Sequence, residues 1–566
     1  MLASVHRSIT KVLSEPITIL LYAVIIGLGG GYGAVVFRWM ITEFTFLFFH
    51  HTQIQLASYH GVRSFFVPII GGLIVGPLVY FFAREAKGHG VPEVMVAITE
   101  NKGIIRPRIV IFKALASAIT LGSGGSVGRE GPIVQIGSAW GSTFGQLFGV
   151  NERMRKTLVA CGAAAGIAAT FNAPIGGALF AFEIVLGSFE LTNVSAIVIS
   201  SVISADIGRT YFGNFASFPL PHYTVSGNFY ILLLFAILGV LGGLYGVFYI
   251  RVLFIFEDFY DKLKKLPEWL KPASGGILIG IIGYFFPQLF GVGYPTVEKA
   301  LVNHIVLGTL IVLLILKLVM TSLTLAAGGS GGVFAPGLFM GSMLGGAYGI
   351  ILKMLFPHLP VSDGVFAAVG MAAVFAGSAH APITAMVMLF EMTGNYQLIL
   401  PLMLAAVIAT AVSSKLSRES IYTMKLARRG LDILRKRNPD HLSSVLVKEA
   451  MQSGRLTIDG GMTLREALDT IKKTKEWFVN VKDSDGVILG SVARSQILEN
   501  IQLGKETSKL QELLPPVIGT IPANATLSEA STLMNEMNTT YLLVMDENNV
   551  AQGVIGSSDI VRSYQD

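Results

Sequence analysis

The sequence predicts an all-α polytopic membrane domain with two homologous halves and broken helices, followed by a small α/β pair of repeats. Three observations carry this. The chain has 566 residues, 52% of them hydrophobic and only 14% charged, with a mean hydropathy of +0.63. A soluble domain carries about a quarter charged residues, so most of this chain faces lipid or a lipid-buried core. The same spaced motifs then occur twice along residues 15–425. Finally, the composition turns charged after Tyr422 and stays that of a soluble domain to the end.

The first fourteen residues are polar and amphipathic and read as a cytoplasmic helix; no clean small-residue cleavage site follows, so the chain reads as uncleaved. Long apolar segments follow at Ile17–Phe37, Ser64–Ala83, Val194–Ala205, Phe229–Ile250, Ile305–Leu325 and Leu400–Val412. Between them lie shorter runs, interrupted by Gly and Pro, that fall below the roughly 20 residues of a full span. Broken helices survive at membrane depth only where protein buries them or a watery cavity meets them, which suggests a transporter or channel. The net charge of +6 is modest. Basic residues gather at Arg153–Lys156, Lys262–Lys271 and Lys425–Arg437, which suits cytoplasmic loops beside a membrane better than a nucleic-acid surface. Cys161 is the only cysteine, which excludes disulfides within the chain and multi-cysteine metal sites.

The repeat is anchored on Pro132 and Pro336, each followed by the same spacing to a Gly-Ser pair, Gly137-Ser138 and Gly341-Ser342. Gly-Ser-Gly-Gly precedes each proline, at Gly122–Gly125 and Gly329–Gly332, with spacings that differ by three residues. Lys113 and Lys317 each stand nineteen positions before their proline. Downstream, Phe171-Asn-Ala-Pro-Ile175 answers Ala379-His-Ala-Pro-Ile383, and Glu183 and Glu391 each follow nine positions after the second proline. Two halves, about 15–212 and 228–425, are the signature of a transporter repeat with its substrate site where the broken helices meet. Similarity between halves does not by itself distinguish inverted from parallel arrangement.

Glu130 stands in Gly128-Arg-Glu-Gly-Pro132, a carboxylate in a glycine break between apolar stretches. An ionisable side chain at membrane depth belongs on an ion or proton path by default. Gly88-His-Gly-Val-Pro92, Gly128–Pro132 and Gly332-Val-Phe-Ala-Pro336 each open into a helix with proline in the first turn. Such segments offer free N–H groups and the positive end of a helix dipole, so together they build an anion site from partial charges.

These motifs, with Tyr422 in Ser420-Ile-Tyr-Thr423 and the stretch Phe390–Pro401, resemble the CLC family of chloride channels and chloride/proton antiporters over residues 15–426. The resemblance implies inverted halves and a homodimer with one anion path per subunit. It also implies that Glu130 is a gate whose carboxylate competes with the anion and swings away on protonation. By the same resemblance His89, Gly128, Arg129, Gly131, the N–H groups of Val333 and Phe334, and the Tyr422 hydroxyl line or hold the anion. The expected partners are chloride or a related small anion, protons and lipid, at the plasma membrane.

Two positions depart from the family. His89 stands where many members have serine, so anion affinity is expected to follow pH differently here. Ile184 stands where many antiporters carry a proton-relaying glutamate, which favours a channel, although some antiporters lack that acid. Lys113 and Lys317 read as lysines satisfying helix-terminal carbonyls, Glu183 and Glu391 as structural hydrogen-bond partners, and His380, matching Asn172, as a helix cap.

From Val445 the chain alternates short β-like runs with amphipathic helices. Phe478–Val481 and Val487–Val492 follow a helix at Leu464–Lys473; Tyr541–Val544 and Gly553–Ile555 follow one at Leu527–Met537. The pattern resembles a tandem pair of CBS domains, about 445–502 and 513–566, joined to the membrane part by a linker at 427–444. Such pairs often bind adenine nucleotides through a hydroxyl residue and an aspartate three positions on. Only Asp559 keeps that aspartate, with Gly556 at the hydroxyl position and Ala493 and Gln496 in the first repeat; no cofactor is expected to be required.

A CBS-regulated cation transporter predicts clustered intramembrane acids, whereas the acids here are isolated. A membrane-anchored nucleotide sensor has no use for broken helices or a two-half repeat. No constellation of nucleophile, base and orienting group appears, which argues against an enzyme.

Overall fold

The computed structural model describes residues 6, 13–50, 63–189, 191–218, 220, 229–358, 360–431, 442, 445–451, 456–474, 478–486, 488–514, 519–537, 539–546 and 551–563. Most of the expected N-terminal helix and of the linker lies outside these residues. The chain divides into two compact units, Met1–Ile433 and Leu434–Asp566.

In the first unit the first half contributes α1 (Glu15–Thr45), α2 (Arg63–Phe82), α3 (Val91–Thr99), α4 (Ile109–Gly122), α5 (Glu130–Phe148), α6 (Glu152–Phe171), α7 (Pro174–Phe180) and α8 (Leu191–Phe212). A π-helical turn, Ala181–Leu186, continues α7. The second half contributes α9 (Phe229–Lys262), α10 (Lys271–Phe285), α11 (Tyr294–Leu301), α12 (Leu307–Ala326), α13 (Phe334–Leu355), α14 (Asp363–Ala379), α15 (Pro382–Thr393) and α16 (Ile399–Leu416), with a short α17 (Thr423–Ala427) closing the unit. Each long apolar segment of the sequence is a helix. One further long apolar helix, α13, runs unbroken through its glycines.

Those glycines make packing surfaces. A Cβ on Gly137 of α5 would lie 2.1 Å from the Gly162 carbonyl of α6, and one on Gly341 of α13 would lie 2.4 Å from the Gly370 carbonyl of α14. Helix backbones touch there, as small residues allow in membranes, where close packing replaces the hydrophobic drive. α6 and α14 are consequently buried along most of their length. Both begin with a side-chain cap, Asn151 accepting the Met154 N–H at 2.8 Å and Ser362 accepting the Gly364 N–H at 3.3 Å. Both end on a left-handed residue, Asn172 at φ 55° and His380 at φ 54°, the conformation that closes a helix C-terminus.

Polar ties between equivalent positions show how the halves are related. Gly128 donates its N–H to the Gly332 carbonyl at 2.8 Å, and Gly332 returns the bond at 2.6 Å. This reciprocal exchange between residues four places before each proline is antiparallel, as a two-fold axis through the pair requires, so the halves are inverted. The Ser126 N–H donates to Thr324 Oγ1 at 3.2 Å and the Ser330 N–H to Thr120 Oγ1 at 3.3 Å. The matching strings are therefore Gly125 with Gly329, seven before each proline, and the repeated Gly-Ser-Gly-Gly seen in the sequence is out of structural register.

The second unit holds two three-stranded sheets. In the first, β1 (Thr457–Asp459) lies parallel to β2 (Phe478–Lys482), which pairs antiparallel with β3 (Ile488–Ala493); in the second, β4 (Thr520–Pro522), β5 (Tyr541–Met545) and β6 (Ala551–Gly556) repeat the order. Helices Leu464–Ile471 and Leu527–Glu536 precede the hairpins. Each begins with a capping box, Thr463 with Glu466 and Thr526 with Glu529. β1 and β4 are three-residue strands that sequence patterning passes over.

Candidate functional site

The N-termini of α5 and α13 meet at the Gly128–Gly332 exchange, so the positive ends of two helices point into one buried place. Glu130, in the first turn of α5, is 1% exposed. Its Oε2 accepts the Ala335 N–H of α13 at 3.3 Å and its Oε1 accepts the Tyr294 hydroxyl at 3.1 Å. The carboxylate thus occupies a first-turn N–H of α13, which is the kind of donor a bound anion would use. A negative side chain seated there excludes a negative ion by charge and by volume.

Tyr294 escaped the sequence reading. It stands in Gly291-Val-Gly-Tyr-Pro295, the second-half counterpart of Gly88-His-Gly-Val-Pro92. The lysines prove the match: Lys113 Nζ donates to the Ala86 and Gly88 carbonyls at 2.9 and 2.7 Å, Lys317 Nζ to those of Leu289 and Gly291 at 3.2 and 2.9 Å. Gly88, Gly90, Gly291 and Gly293 all have positive φ, from 59° to 84°, so only glycine sits there without strain. The signal available was this second Gly-x-Gly-x-Pro string, hidden because Val292 carries no chemistry.

His89 is fully buried, and neither ring nitrogen has a protein partner. Its ring centroid lies 6.0 Å from that of Tyr422, itself 2% exposed. Gly131 fits only as glycine, since a Cβ there would lie 2.0 Å from the His89 carbonyl. Gly128, expected to line the anion site, gives its N–H to the Gly332 carbonyl and so ties the two halves at that place. The Arg129 guanidinium lies over the Tyr294 ring at 5.2 Å and the Phe171 ring at 5.9 Å, with Nε buried and unpartnered. Val333 gives its carbonyl to the Tyr249 hydroxyl at 3.2 Å. Phe334, the counterpart of Glu130, packs against Phe375 at 4.4 Å and Phe171 at 5.3 Å as an apolar wall. Ile184 is buried in the π-helical turn.

The two remaining glutamates clasp the halves together. Glu183 accepts the N–H groups of Ile383 and Thr384 at 3.1 and 2.6 Å, plus the Thr384 hydroxyl at 2.6 Å. Glu391 accepts those of Ile175 and Gly176 at 3.0 and 2.6 Å. Each carboxylate caps the N-terminus of a helix in the opposite half. In the second unit Asp559 is 4% exposed and accepts the Gly556 N–H at 2.9 Å, a local tie at the start of helix Ser557–Ser563.

Inverted halves whose helix N-termini converge on a buried carboxylate define an ion-transport protein of the broken-helix class. Residues 71–414 match the voltage gated chloride channel family, and the chain belongs to that family. Residues 447–503 and 511–566 match the CBS domain. A putative chloride channel protein ClcB-like of Ralstonia nicotianae is 33% identical over 65% of this chain and 86% of its own length. The H(+)/Cl(-) exchange transporter ClcA of Vibrio parahaemolyticus is 36% identical over 62% of this chain and 76% of its own. Among solved structures, a slow cyanobacterial Cl-/H+ antiporter superposes with a TM-score of 0.68 at 28% identity, covering 74% of this chain and 98% of its own. A eukaryotic CLC transporter covers 96% of this chain and 97% of its own with a TM-score of 0.65; at 20% identity it speaks to the fold alone.

Proposed function

We propose that this chain exchanges chloride for protons across the membrane, with Glu130 as gate and proton carrier. The observation that carries the reading is the Glu130 carboxylate seated on the Ala335 N–H at the N-terminus of α13. Ionised, it occupies the donor that an anion needs; protonated, it loses its charge and with it the attraction to the helix end. The anion and the ionised carboxylate are then alternative occupants of one place, so anion entry goes with carboxylate protonation, the condition for coupling. Likeness to the Vibrio exchanger and the cyanobacterial antiporter supports the same reading. His89, Arg129, Gly131, the N–H groups of Val333 and Phe334, and Tyr422 line the path in this proposal.

A second reading, a chloride channel, is favoured by one observation: Ile184, which cannot carry a proton, stands in the π-helical turn. Reconstitution of the full chain in liposomes separates the two. An outward chloride gradient that drives protons uphill establishes exchange; chloride flux with no proton movement establishes the channel.

The assembly proposed is a homodimer in the plasma membrane with the CBS pair on the cytoplasmic side, as the basic loops suggest. The pair is proposed to regulate transport by taking an adenine nucleotide, with Asp559 as a contact. Titration of ATP and AMP into the full chain and its Asp559→Asn variant tests this; equal affinity in both removes Asp559 from the site.

A further inference from the structure

Exchange, if it operates here, needs a way for protons to reach Glu130 that does not use Ile184. The buried polar atoms without protein partners mark one. Most polar groups around the axis are satisfied: both lysines bond two carbonyls, both clasping glutamates bond two N–H groups, and His380 Nε2 lies 3.0 Å from Ser413 Oγ. Glu85 Oε2, Gln135 Oε1 and both ring nitrogens of His89 are exceptions among the described residues.

These exceptions lie on residues whose neighbours touch. A cavity of about 520 Å³ is lined by Glu85, Glu93, Glu100, Lys102, Arg106 and Gln135. Gln135 donates Nε2 to the Glu85 carbonyl at 3.1 Å, while its Oε1 lies 2.9 Å from where a Cβ on Gly90 would stand. Gly90 adjoins His89, whose carbonyl packs against Gly131, the neighbour of Glu130. Gln135 and Glu130 share α5, five residues and thus about 7.5 Å apart along its axis. Buried polar atoms lacking a protein partner are met by ordered water where a polar space adjoins them, and Glu85 and Gln135 line a cavity wide enough for many waters. Lys113, Lys425 and Tyr422 surround the His89 motif, and Glu93, on α3, pairs with Arg429 at 2.9 Å.

We propose that protons reach Glu130 from the Glu85–Glu93–Glu100 cavity by way of water at Gln135 and the imidazole of His89, a route that bypasses Ile184. The proposal rests on the exchange reading above. One proton moves per passage. Water at Gln135 delivers it to the unprotonated ring nitrogen of His89. The opposite nitrogen releases the proton it already carried to water, which passes it to the Glu130 carboxylate. The imidazole ends neutral in its other tautomer, and its second orientation or tautomeric return resets it. The serine found at this place in many relatives has no second basic atom with which to do this.

The test uses the full chain in liposomes, with chloride efflux and proton uptake recorded together. Gln135→Leu leaves every proposed anion ligand in place and removes the water-holding amide, while chloride flux reports that the variant is folded. His89→Ser removes the imidazole, and the proton-to-chloride ratio is read whatever its chloride rate. Both ratios are expected to fall at least about tenfold, the scale of a lost acid–base group. Adding Ile184→Glu to His89→Ser is expected to restore proton uptake by supplying an acid on the other route. A wild-type ratio in either single variant overturns the proposal, as does chloride flux without proton uptake in the unmodified chain. Absence of any chloride flux in the unmodified chain instead defeats the transport reading itself.

Discussion

The two halves of the membrane unit share a scaffold and differ in chemistry. Four kinds of tie recur in both: the lysines on paired carbonyls, the Ser–Thr bonds, the Gly128–Gly332 exchange, the glutamate clasps. Where the path runs, equivalent positions diverge. Glu130 faces Phe334, Arg129 faces Val333, His89 faces Val292, and Tyr294 faces Val91. Symmetry therefore builds the cradle, and its local breaking places two charges, one imidazole and one phenol around the meeting helix ends. In the function proposed above, residues retained in both halves serve stability and residues found in one serve transport.

The sharpest way to break this division is at Glu130. Glu130→Gln is expected to cut chloride-driven proton uptake about 100-fold or more while chloride still moves with little response to pH; undiminished proton uptake in liposomes removes the gate assignment. The clasps come next. Glu183→Ala and Glu391→Ala each strip two N–H groups of their acceptor and are expected to lower unfolding free energy by about 1–3 kcal/mol, alike in both halves. Thermal unfolding in detergent measures it, and anion selectivity should stay put. Tyr294→Phe removes one hydrogen bond from the Glu130 carboxylate, worth about 1 kcal/mol. Chloride flux at neutral pH is expected to rise up to about tenfold, since the carboxylate leaves its seat more readily; flux equal to that of the parent chain makes Tyr294 a packing residue.

The smallest effects are expected in the second unit, whose two repeats stay matched. Thr463→Ala and Thr526→Ala should each cost about 1 kcal/mol in the C-terminal unfolding transition of the full chain. The N–H and hydroxyl groups of these threonines hold Glu466 and Glu529 below the ordinary carboxylate range. Their stabilisation is complete above that range and lost as the pH falls through the lowered values. Both carboxylates are exposed, so acid should shift this transition only slightly, and the alanine variants, which keep the backbone N–H donors and lose the hydroxyls, should show a smaller shift.

Much of this was legible in the sequence, for a physical reason. Buried charges in lipid tolerate few neighbours, so Lys113, Lys317, Glu183 and Glu391 announced themselves by matched spacing. The Gly-x-x-x-Pro breaks around Glu130 were equally open, because helix starts there need special backbone. Other features stayed hidden. Tyr294 is ordinary in sequence because its contact is with a residue 164 positions away. The tie of the Gly128 N–H to Gly332 is invisible because sequence does not show which N–H groups the opposite half takes. β1 and β4 are too short for any alternation to show.

The clasps also bear on how the chain is made. As the first half emerges, the N–H groups of Ile175 and Gly176 lack their acceptor until Glu391 has been synthesised, 216 and 215 residues later. The helix opened by Pro174 stays open at its start through that whole interval. The first half thus lacks the cap of one of its helices until the second half has been made.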